Sequence, residues 1–316
     1  MDMPSLSKTT AERLLNGHVI GLRAGLRVLR LSGDGVRDYL QGQITQDMRR
    51  LSRTQGIHAC LLTPQGKPVS ELYLFDGGDA LWMVVPASRM GQAVARLRRF
   101  SLGYALDIAP ADELALASVQ GSDAESALRA WRLAIPDGGW LACAQDAQKR
   151  LTAVMPATPR GFWVIAAREA LLGICADHPH TVAETELEAM RIIRGLPRFG
   201  VDWDERVHPL NANLIELDGV SFDKGCYVGQ EVTSRMRWRG GIRKRLYHVR
   251  TAAPPVGIPT PVFHDRTAIG TLTSAAIDHQ GQCFGIAWLP IATVDRGNVL
   301  HIEDATEVEI LDACHW

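Results

Sequence analysis

One cysteine of this sequence lies in a setting suited to thiol chemistry. Cys226 lies in the glycine-containing stretch 224–229, and residues 230–233 after it are predicted to begin a short helix. The positive end of a helix dipole and the cation of Lys224 both favour the thiolate form of a nearby cysteine. The pattern predicts a reactive or metal-contacting cysteine, and the alternative is a small buried residue in a glycine-rich turn.

A run of cations without an acid follows this cysteine. Its members are Arg235, Arg237, Arg239, Arg243, Lys244 and Arg245. Such a run can bind phosphates, a folate polyglutamate tail, RNA or an acidic protein, or it can form a solvated basic face. Trp238 within the run could stack on a base or a pteridine, although burial is the commoner fate of a tryptophan.

The other cysteines show no spacing typical of a metal site. The six cysteines are Cys60, Cys143, Cys175, Cys226, Cys283 and Cys314. There is no CxxC pair, so free and mostly buried thiols in a reducing compartment are expected. Residues 175–180 bring metal-ligand residue types together, but a polar loop is the simpler interpretation.

The composition excludes several classes of protein. The 316 residues are 46% hydrophobic and carry 34 basic and 35 acidic side chains, a net charge of −1. This predicts a globular protein of two or three domains and argues against one that coats nucleic acid non-specifically, so nucleic acid is not an expected partner, although the total charge is compatible with a local basic stripe. No apolar run approaches the length of a membrane span, and residues 1–17 lack the features of a secretory signal. A cytoplasmic location is therefore expected, or the mitochondrial matrix if the source is eukaryotic.

The elements that must position these residues are predicted to be mixed helices and hairpins, which favours an α+β fold. Strands are predicted at 56–62, 69–75, 80–85, 115–119 and 163–167, and helices at 89–100, 122–131 and 181–193. A helix through Tyr39 and Leu40 is predicted to have Asp34 as its N-cap. Residues 64–67 are predicted to form the turn of the first hairpin.

The last part of the chain changes character. Short strands are predicted at 246–250, 268–273, 284–289, 299–302 and 308–311. Turns rich in Gly, Pro and Asp separate them, which is typical of a small antiparallel barrel. Gly240 and Gly241 are predicted to form the hinge that leads into it.

The sequence resembles a known family at the cysteine motif. The motif is Lys224, Gly225, Cys226, Tyr227, Val228, Gly229, Gln230 and Glu231. It resembles the KGC(F/Y)xGQE signature of the YgfZ family, folate-binding-like proteins related to the T-protein (aminomethyltransferase) of the glycine cleavage system. The resemblance extends over residues 28–311, with further matches at 39–47, 209–214 and 269–274. Residues 219–222 and 241–246 look most similar to the mitochondrial branch, whose members are late-acting assembly factors for 4Fe–4S proteins.

The resemblance implies an architecture. It implies a T-protein-like α+β fold, with mixed or antiparallel sheets around a central cavity and a small C-terminal antiparallel β-barrel. The expected domains are 1–110 with 181–240, which carries the motif, then a second α+β layer at 111–180, then the barrel at 241–316.

The resemblance also implies a function in iron–sulfur protein maturation. Cys226 would act as a thiolate, and as a metal ligand only in a transient cluster shared with a partner, since one thiolate cannot hold a 4Fe–4S cluster. Lys224 would favour that thiolate. The expected partners are A-type iron–sulfur carrier proteins and 4Fe–4S client proteins. Glycines 225 and 229 with Tyr227, Gln230 and Glu231 would shape the loop, and Gln41, Asp47 and the basic residues would bind a ligand or partner.

Three departures from the family pattern bear on an alternative function. Ser70 and Glu71 stand where T-proteins carry an acidic pair, and Ile193 stands where a folate-binding Glu is expected. An isoleucine cannot accept hydrogen bonds from a pteridine, so tetrahydrofolate binding is expected to be weakened. A tetrahydrofolate-dependent one-carbon transferase, or a folate-binding regulator, remains the alternative. An RNA-binding module acting through residues 235–245 is the third interpretation.

Overall fold

The computed structural model describes residues 3–156, 160–303 and 305–315. The chain divides into two compact units. The barrel unit comprises Met1–Ala11, Thr185–Leu217 and Glu231–Trp316, and the two-sheet unit comprises Glu12–Glu184 and Asp218–Gln230. The predicted division at 1–110 with 181–240, 111–180 and 241–316 stays a prediction, as does the central cavity.

The described residues form helices and strands in alternating groups. The helices are α1 (Lys8–Asn16), α2 (Val36–Gln41), α3 (Met90–Arg99), α4 (Ala124–Ala130), α5 (Arg168–Asp177), α6 (Glu184–Ile193), α7 (Gln230–Trp238) and α8 (Ile291–Asp295). The strands are β1 (Val19–Leu22), β2 (Leu26–Ser32), β3 (Ile57–Leu62), β4 (Pro68–Asp76), β5 (Leu81–Pro86), β6 (Asp107–Pro110), β7 (Leu114–Gln120), β8 (Cys143–Gln145), β9 (Leu151–Met155), β10 (Gly161–Ala167), β11 (Lys244–Thr251), β12 (Thr260–His264), β13 (Thr267–Ile277), β14 (Cys283–Pro290), β15 (Leu300–Ile302) and β16 (Thr306–Ala313). No helix in the described ranges is long and apolar enough to cross a membrane.

The first sheet of the two-sheet unit is antiparallel, in the order β3-β4-β5-β2-β6. The predicted hairpin at 56–62 and 69–75 is confirmed by β3 and β4, and the predicted helix at 89–100 by α3. One face of this sheet, with Leu61, Leu72 and Met83, packs against α2 and α3 in an apolar core. Alternating side chains of a strand point to opposite faces, so the other face is free to pack elsewhere.

The second sheet, in the order β1-β7-β10-β9-β8, packs against that other face. Phe75 and Trp82 of the first sheet share a core with Leu151 and Trp163 of the second. The strands predicted at 115–119 and 163–167 and the helix at 122–131 are confirmed by β7, β10 and α4. The β3–β4 hairpin thus contributes side chains to both cores, and the cysteine motif lies against the end of β3 at Leu62.

Two local predictions are wrong. Asp34 is not the N-cap of α2, because the helix begins one residue later with Gly35 at the cap and no side-chain cap bond. Residues 175–180 are not a continuous loop, because α5 extends to Asp177 and buries Cys175 in the core.

The barrel unit contains a closed six-stranded antiparallel barrel in the order β11-β14-β13-β12-β15-β16. The predicted barrel is confirmed, and five of its strands coincide with predicted segments. The missed strand is β12, where Pro261 weakens the strand pattern. The buried Asn213 connects the segment before the motif to the barrel. Its side-chain amide donates to Leu246 O on β11 and to Cys314 O just after β16, both at 2.8 Å. The α+β fold with a C-terminal antiparallel barrel is thus confirmed.

Candidate functional site

The six cysteines fall into two classes by exposure. Five are buried, and Cys226 is exposed. Burial raises the pKa of each of the five buried thiols, that of Cys143 to about 11. A buried thiol with a raised pKa is a poor nucleophile or ligand, because the thiolate is the reactive form. Accessible thiol chemistry in this chain therefore belongs to Cys226.

Lys224 anchors the start of the loop that carries Cys226. Its side chain is buried, and its ammonium donates to the carbonyl oxygens of Ile44 and Gln46, each at 2.8 Å. The same nitrogen lies 5.0 Å from the ring centroid of Tyr227. Burial lowers the pKa of Lys224 to about 8, partly offset by the nearby charge of Asp47. These contacts make Lys224 a positioning residue, and its predicted effect on the Cys226 thiol stays a prediction.

The end of the loop is fixed by backbone contacts. Val228 N donates to Gly42 O at 3.1 Å. Gly229 has a φ of +88°, and a Cβ there would lie 2.9 Å from both the Cβ of Leu62 and the carbonyl oxygen of Thr63. Only glycine fits this position without displacing the end of β3. Gly225, in contrast, has no atom within 4 Å of the place of a Cβ.

The loop rests on the segment after α2, which itself is held by side chains. Thr45 Oγ1 donates to Gly219 O at 2.6 Å and accepts from Cys60 N at 2.8 Å. Gln46 Nε2 donates to Asp218 O at 2.7 Å. The buried Thr45 therefore links the chain before the motif to β3, and the buried Gln46 holds that chain at Asp218. Neither role was predicted, because the only signal for this segment in the sequence was the family resemblance of residues 39–47.

Gln41 and Asp47, predicted to bind a ligand, use polar atoms within this segment. Asp47 accepts from Arg49 N at 2.9 Å and so caps the short 3₁₀ helix Met48–Arg50. Gln41 donates to Asp47 Oδ1 at 3.1 Å and accepts from Met48 N at 2.8 Å. Hydrogen bonds from the Arg49 side chain hold the pKa of Asp47 well below its usual range. Capping is thus shown, and ligand binding stays a prediction.

The last two motif residues begin α7. Gln230 N donates to Tyr227 O at 3.1 Å, which joins the buried tyrosine to the first turn. Glu231 lies in that first turn, where a negative charge complements the helix dipole, and pairs with Arg235 at 2.6 Å. This pair is solvent-exposed, so its contribution to stability is small.

The predicted basic residues lie on α7, after it, and at the start of β11. Arg237, Arg239 and Arg243 are exposed, whereas Arg245 pairs with Glu216 at 2.8 Å. Lys244 Nζ donates to Ile269 O at 3.0 Å and lies 4.2 Å from the centroid of the Trp288 ring. Lys244 and Arg245 of this run are therefore half-buried and held by contacts within the fold, whereas Arg235, Arg237, Arg239 and Arg243 are exposed.

The positions that bear on folate chemistry lie on two elements. Ser70 and Glu71 are on β4 and buried: Ser70 Oγ donates to Glu71 O at 2.7 Å, and Glu71 Oε1 lies 2.8 Å from His58 Nε2. Glu71 lies opposite Cys60 in the β3–β4 register. Ile193 is the last residue of α6 and is half-buried.

Among the residues that the structure describes, no group of three or more His, Cys, Asp or Glu side chains could hold a metal ion. Cys226 is therefore not part of such a group within the described ranges.

Comparison with known proteins supports the resemblance seen in the motif. No family model matches the sequence. The chain is 31% identical over 239 residues to the tRNA-modifying protein YgfZ of Klebsiella pneumoniae (strain 342), covering 72% of this chain and 69% of that protein. It is 28% identical over 231 residues to the tRNA-modifying protein YgfZ of Yersinia enterocolitica, covering 72% and 70%.

A solved structure shows the same fold. The glycine cleavage system aminomethyltransferase T from Bartonella henselae superposes with a TM-score of 0.80 at 17% sequence identity, covering 95% of this chain and 85% of that one. At this identity the likeness establishes the T-protein fold alone. The fold, the KGCYVGQE motif and the extent of identity to the curated relatives lead to one conclusion: the chain belongs to the YgfZ family.

Proposed function

We propose that this protein is an accessory factor for 4Fe–4S proteins that serve tRNA modification, with the thiol of Cys226 as its contact group. The observation that carries the proposal is the exposure of Cys226 on a loop whose two ends are anchored. The relatives in Klebsiella and Yersinia are named as tRNA-modifying proteins, and the resemblance to the mitochondrial branch adds the iron–sulfur chemistry.

The cluster is cargo in this proposal rather than a resident cofactor. A 4Fe–4S cluster is normally held by four ligands, and Cys226 supplies one. The remaining ligands would come from a partner, such as an A-type carrier or a client protein, or from small thiols. Anchoring then has a purpose, because a fixed loop presents the thiol to a partner with little loss of conformational entropy.

Lys224 supports this presentation through its two hydrogen bonds to carbonyl oxygens of the receiving segment. Gly229 supports it by allowing the loop to lie against Leu62 and Thr63. Both residues act on the position of the thiol and not on the cluster. Their loss should reduce activity by moving Cys226, whereas loss of Cys226 should remove the contact itself.

The test is complementation in cells that lack the native gene. Activity of a 4Fe–4S enzyme and the fraction of modified tRNA are measured with wild type, Cys226→Ser and Cys175→Ala. Cys175→Ala is the matched control, because it removes a thiol that is buried in the core. We expect the control to restore both readouts and Cys226→Ser to restore neither. Full rescue by Cys226→Ser, at equal protein level, would refute the proposed role of the thiol.

A tetrahydrofolate-dependent transferase is the competing function. The buried, His58-bound state of Glu71 and the apolar side chain of Ile193 both speak against it. Calorimetry with tetrahydrofolate separates the two: we expect no micromolar binding, and tight binding together with full rescue by Cys226→Ser would favour the transferase.

A further inference from the structure

Helix α7 ends in an exposed aromatic ring. Trp238 is the last residue of the helix, and its side chain is 73% exposed. Burial, the commoner fate of a tryptophan, is thus not observed here. The guanidinium carbon of Arg237 lies 5.6 Å from the centroid of the ring. A flat indole beside a guanidinium is a surface on which an unstacked nucleobase can lie.

The chain that follows holds this ring in place. Arg239 N donates to Arg235 O and Gly241 N to Met236 O, both at 3.0 Å. Gly240 adopts a φ of +70°, which completes a Schellman cap. The predicted hinge is therefore a capped helix end. Because this segment is already ordered, binding of a partner there would cost little conformational entropy.

The charge around the ring has one sign. No Asp or Glu occurs in the sequence between Val232 and Leu246. Arg235 and Arg245 are engaged with Glu231 and Glu216, and Lys244 with Ile269 O. Arg237, Arg239 and Arg243, the nearest cations to Trp238 on either side of it in the sequence apart from Arg235, have exposed side chains.

We propose that these exposed residues, Arg237, Trp238, Arg239 and Arg243, form a surface that binds an unpaired stretch of RNA. The arginines would contact phosphates, and Trp238 would stack on one base. A double helix hides its base faces, whereas an unpaired strand offers phosphates to the arginines and a base face to the indole, so an unpaired strand fits best. The near-neutral total charge argues against coating of nucleic acid but not against one local site. The choice of RNA rests on the proposed function, whereas the surface itself does not use Cys226.

The test is fluorescence anisotropy of a labelled unpaired RNA of about 12 nucleotides, a length within the range of single-strand sites. The full-length protein is titrated against this strand and against the same strand in a duplex, at several salt concentrations. We expect Trp238→Ala to weaken binding to the unpaired strand about tenfold, with Trp238→Phe retaining most of it. Arg237→Glu or Arg243→Glu should each flatten the salt dependence by about 0.7 in log–log slope.

The matched control is Arg266→Glu, which makes the same charge change at an exposed arginine in the turn between β12 and β13. Arg266→Glu should leave the affinity for RNA unchanged, and so should Cys226→Ser. The RNA-binding measurement therefore tests this surface independently of the proposed role of the Cys226 thiol. Equal affinity of wild type and Trp238→Ala would overturn the proposal. So would equal binding to the duplex, or displacement of RNA by polyglutamate from a surface insensitive to Trp238→Ala.

Discussion

Each of the two units contains a network of buried polar side chains joined by hydrogen bonds. Only the network of the two-sheet unit lies next to an exposed cysteine. In the two-sheet unit, Lys224 and Thr45 bind backbone carbonyls and lead to the exposed Cys226. In the barrel unit, Asp202 accepts from Ser274 Oγ at 2.5 Å and pairs with Arg191 at 2.7 Å, and all three side chains are buried. Dense polar burial therefore marks where the chain is held in place, and an exposed reactive atom is the additional feature that indicates chemistry.

The largest effect is expected from breaking the barrel network. Asp202→Ala removes an acceptor from Arg191 and Ser274, and loss of one partner of a buried ion pair typically costs about 3–5 kcal/mol in the free energy of unfolding. Glu188 still pairs with Arg191 at 3.0 Å, so a loss of about 3 kcal/mol is expected by urea denaturation.

The control for this variant is Glu309→Ala, which breaks an exposed pair with Arg250 in the same barrel. An exposed pair contributes about 1 kcal/mol or less. If Asp202→Ala lowers the free energy of unfolding by no more than this control does, the Asp202 network does not stabilise the barrel unit.

The next effect tests the fit of the motif loop. Gly229→Ala requires a left-handed backbone for a residue with a Cβ and places that Cβ 2.9 Å from Thr63 O, so we expect a loss of about 2 kcal/mol or more. Gly225→Ala, four residues earlier in the same loop, meets open space and should be close to neutral. Denaturation of both variants measures the difference, and equal stabilities would show that the loop does not depend on its contact with β3.

A smaller effect concerns the ammonium of Lys224. Lys224→Met leaves the carbonyls of Ile44 and Gln46 without these donors, at a cost of about 1–3 kcal/mol. Lysine has an ordinary pKa near 10.5, and burial lowers that of folded Lys224 to about 8. Between these two pH values the unfolded chain binds more protons at this lysine than the folded chain does. The free energy of unfolding of the wild type therefore rises with pH, and the variant lacks this contribution.

The measurement is the free energy of unfolding of wild type and Lys224→Met at pH values from about 7 to 10.5. The difference between the two proteins should widen as pH rises above about 8. Lys67→Met, at an exposed lysine in the same unit, is the control and should run parallel to wild type. A constant difference for Lys224→Met would contradict burial of a titrating ammonium.

Local residue patterns encode some parts of this molecule and not others. The β3–β4 hairpin was predictable because its strands are strongly apolar and its turn has the right residues. Strand β12 was not, since Pro261 obscures the pattern. The motif identified Cys226, but the carbonyl partners of Lys224 lie about 180 residues earlier in the chain. Such long-range contacts, like the buried site of Asn213 and the exposure of Trp238, depend on tertiary packing that local residue patterns do not encode.

The smallest effect on stability is expected at the exposed end of the first network. Cys226→Ser changes one atom of an exposed side chain, so the free energy of unfolding should shift by no more than about 0.5 kcal/mol. Alkylation of the native protein with iodoacetamide should modify Cys226 first and the five buried thiols only on unfolding, and the variant should lose the fast phase. Fast labelling that survives in Cys226→Ser would place an accessible thiol elsewhere. An unchanged free energy of unfolding together with the loss of the fast phase would show that the network positions Cys226 but does not need it for stability. A thiol that reacts with another molecule must be dispensable for the fold in this way.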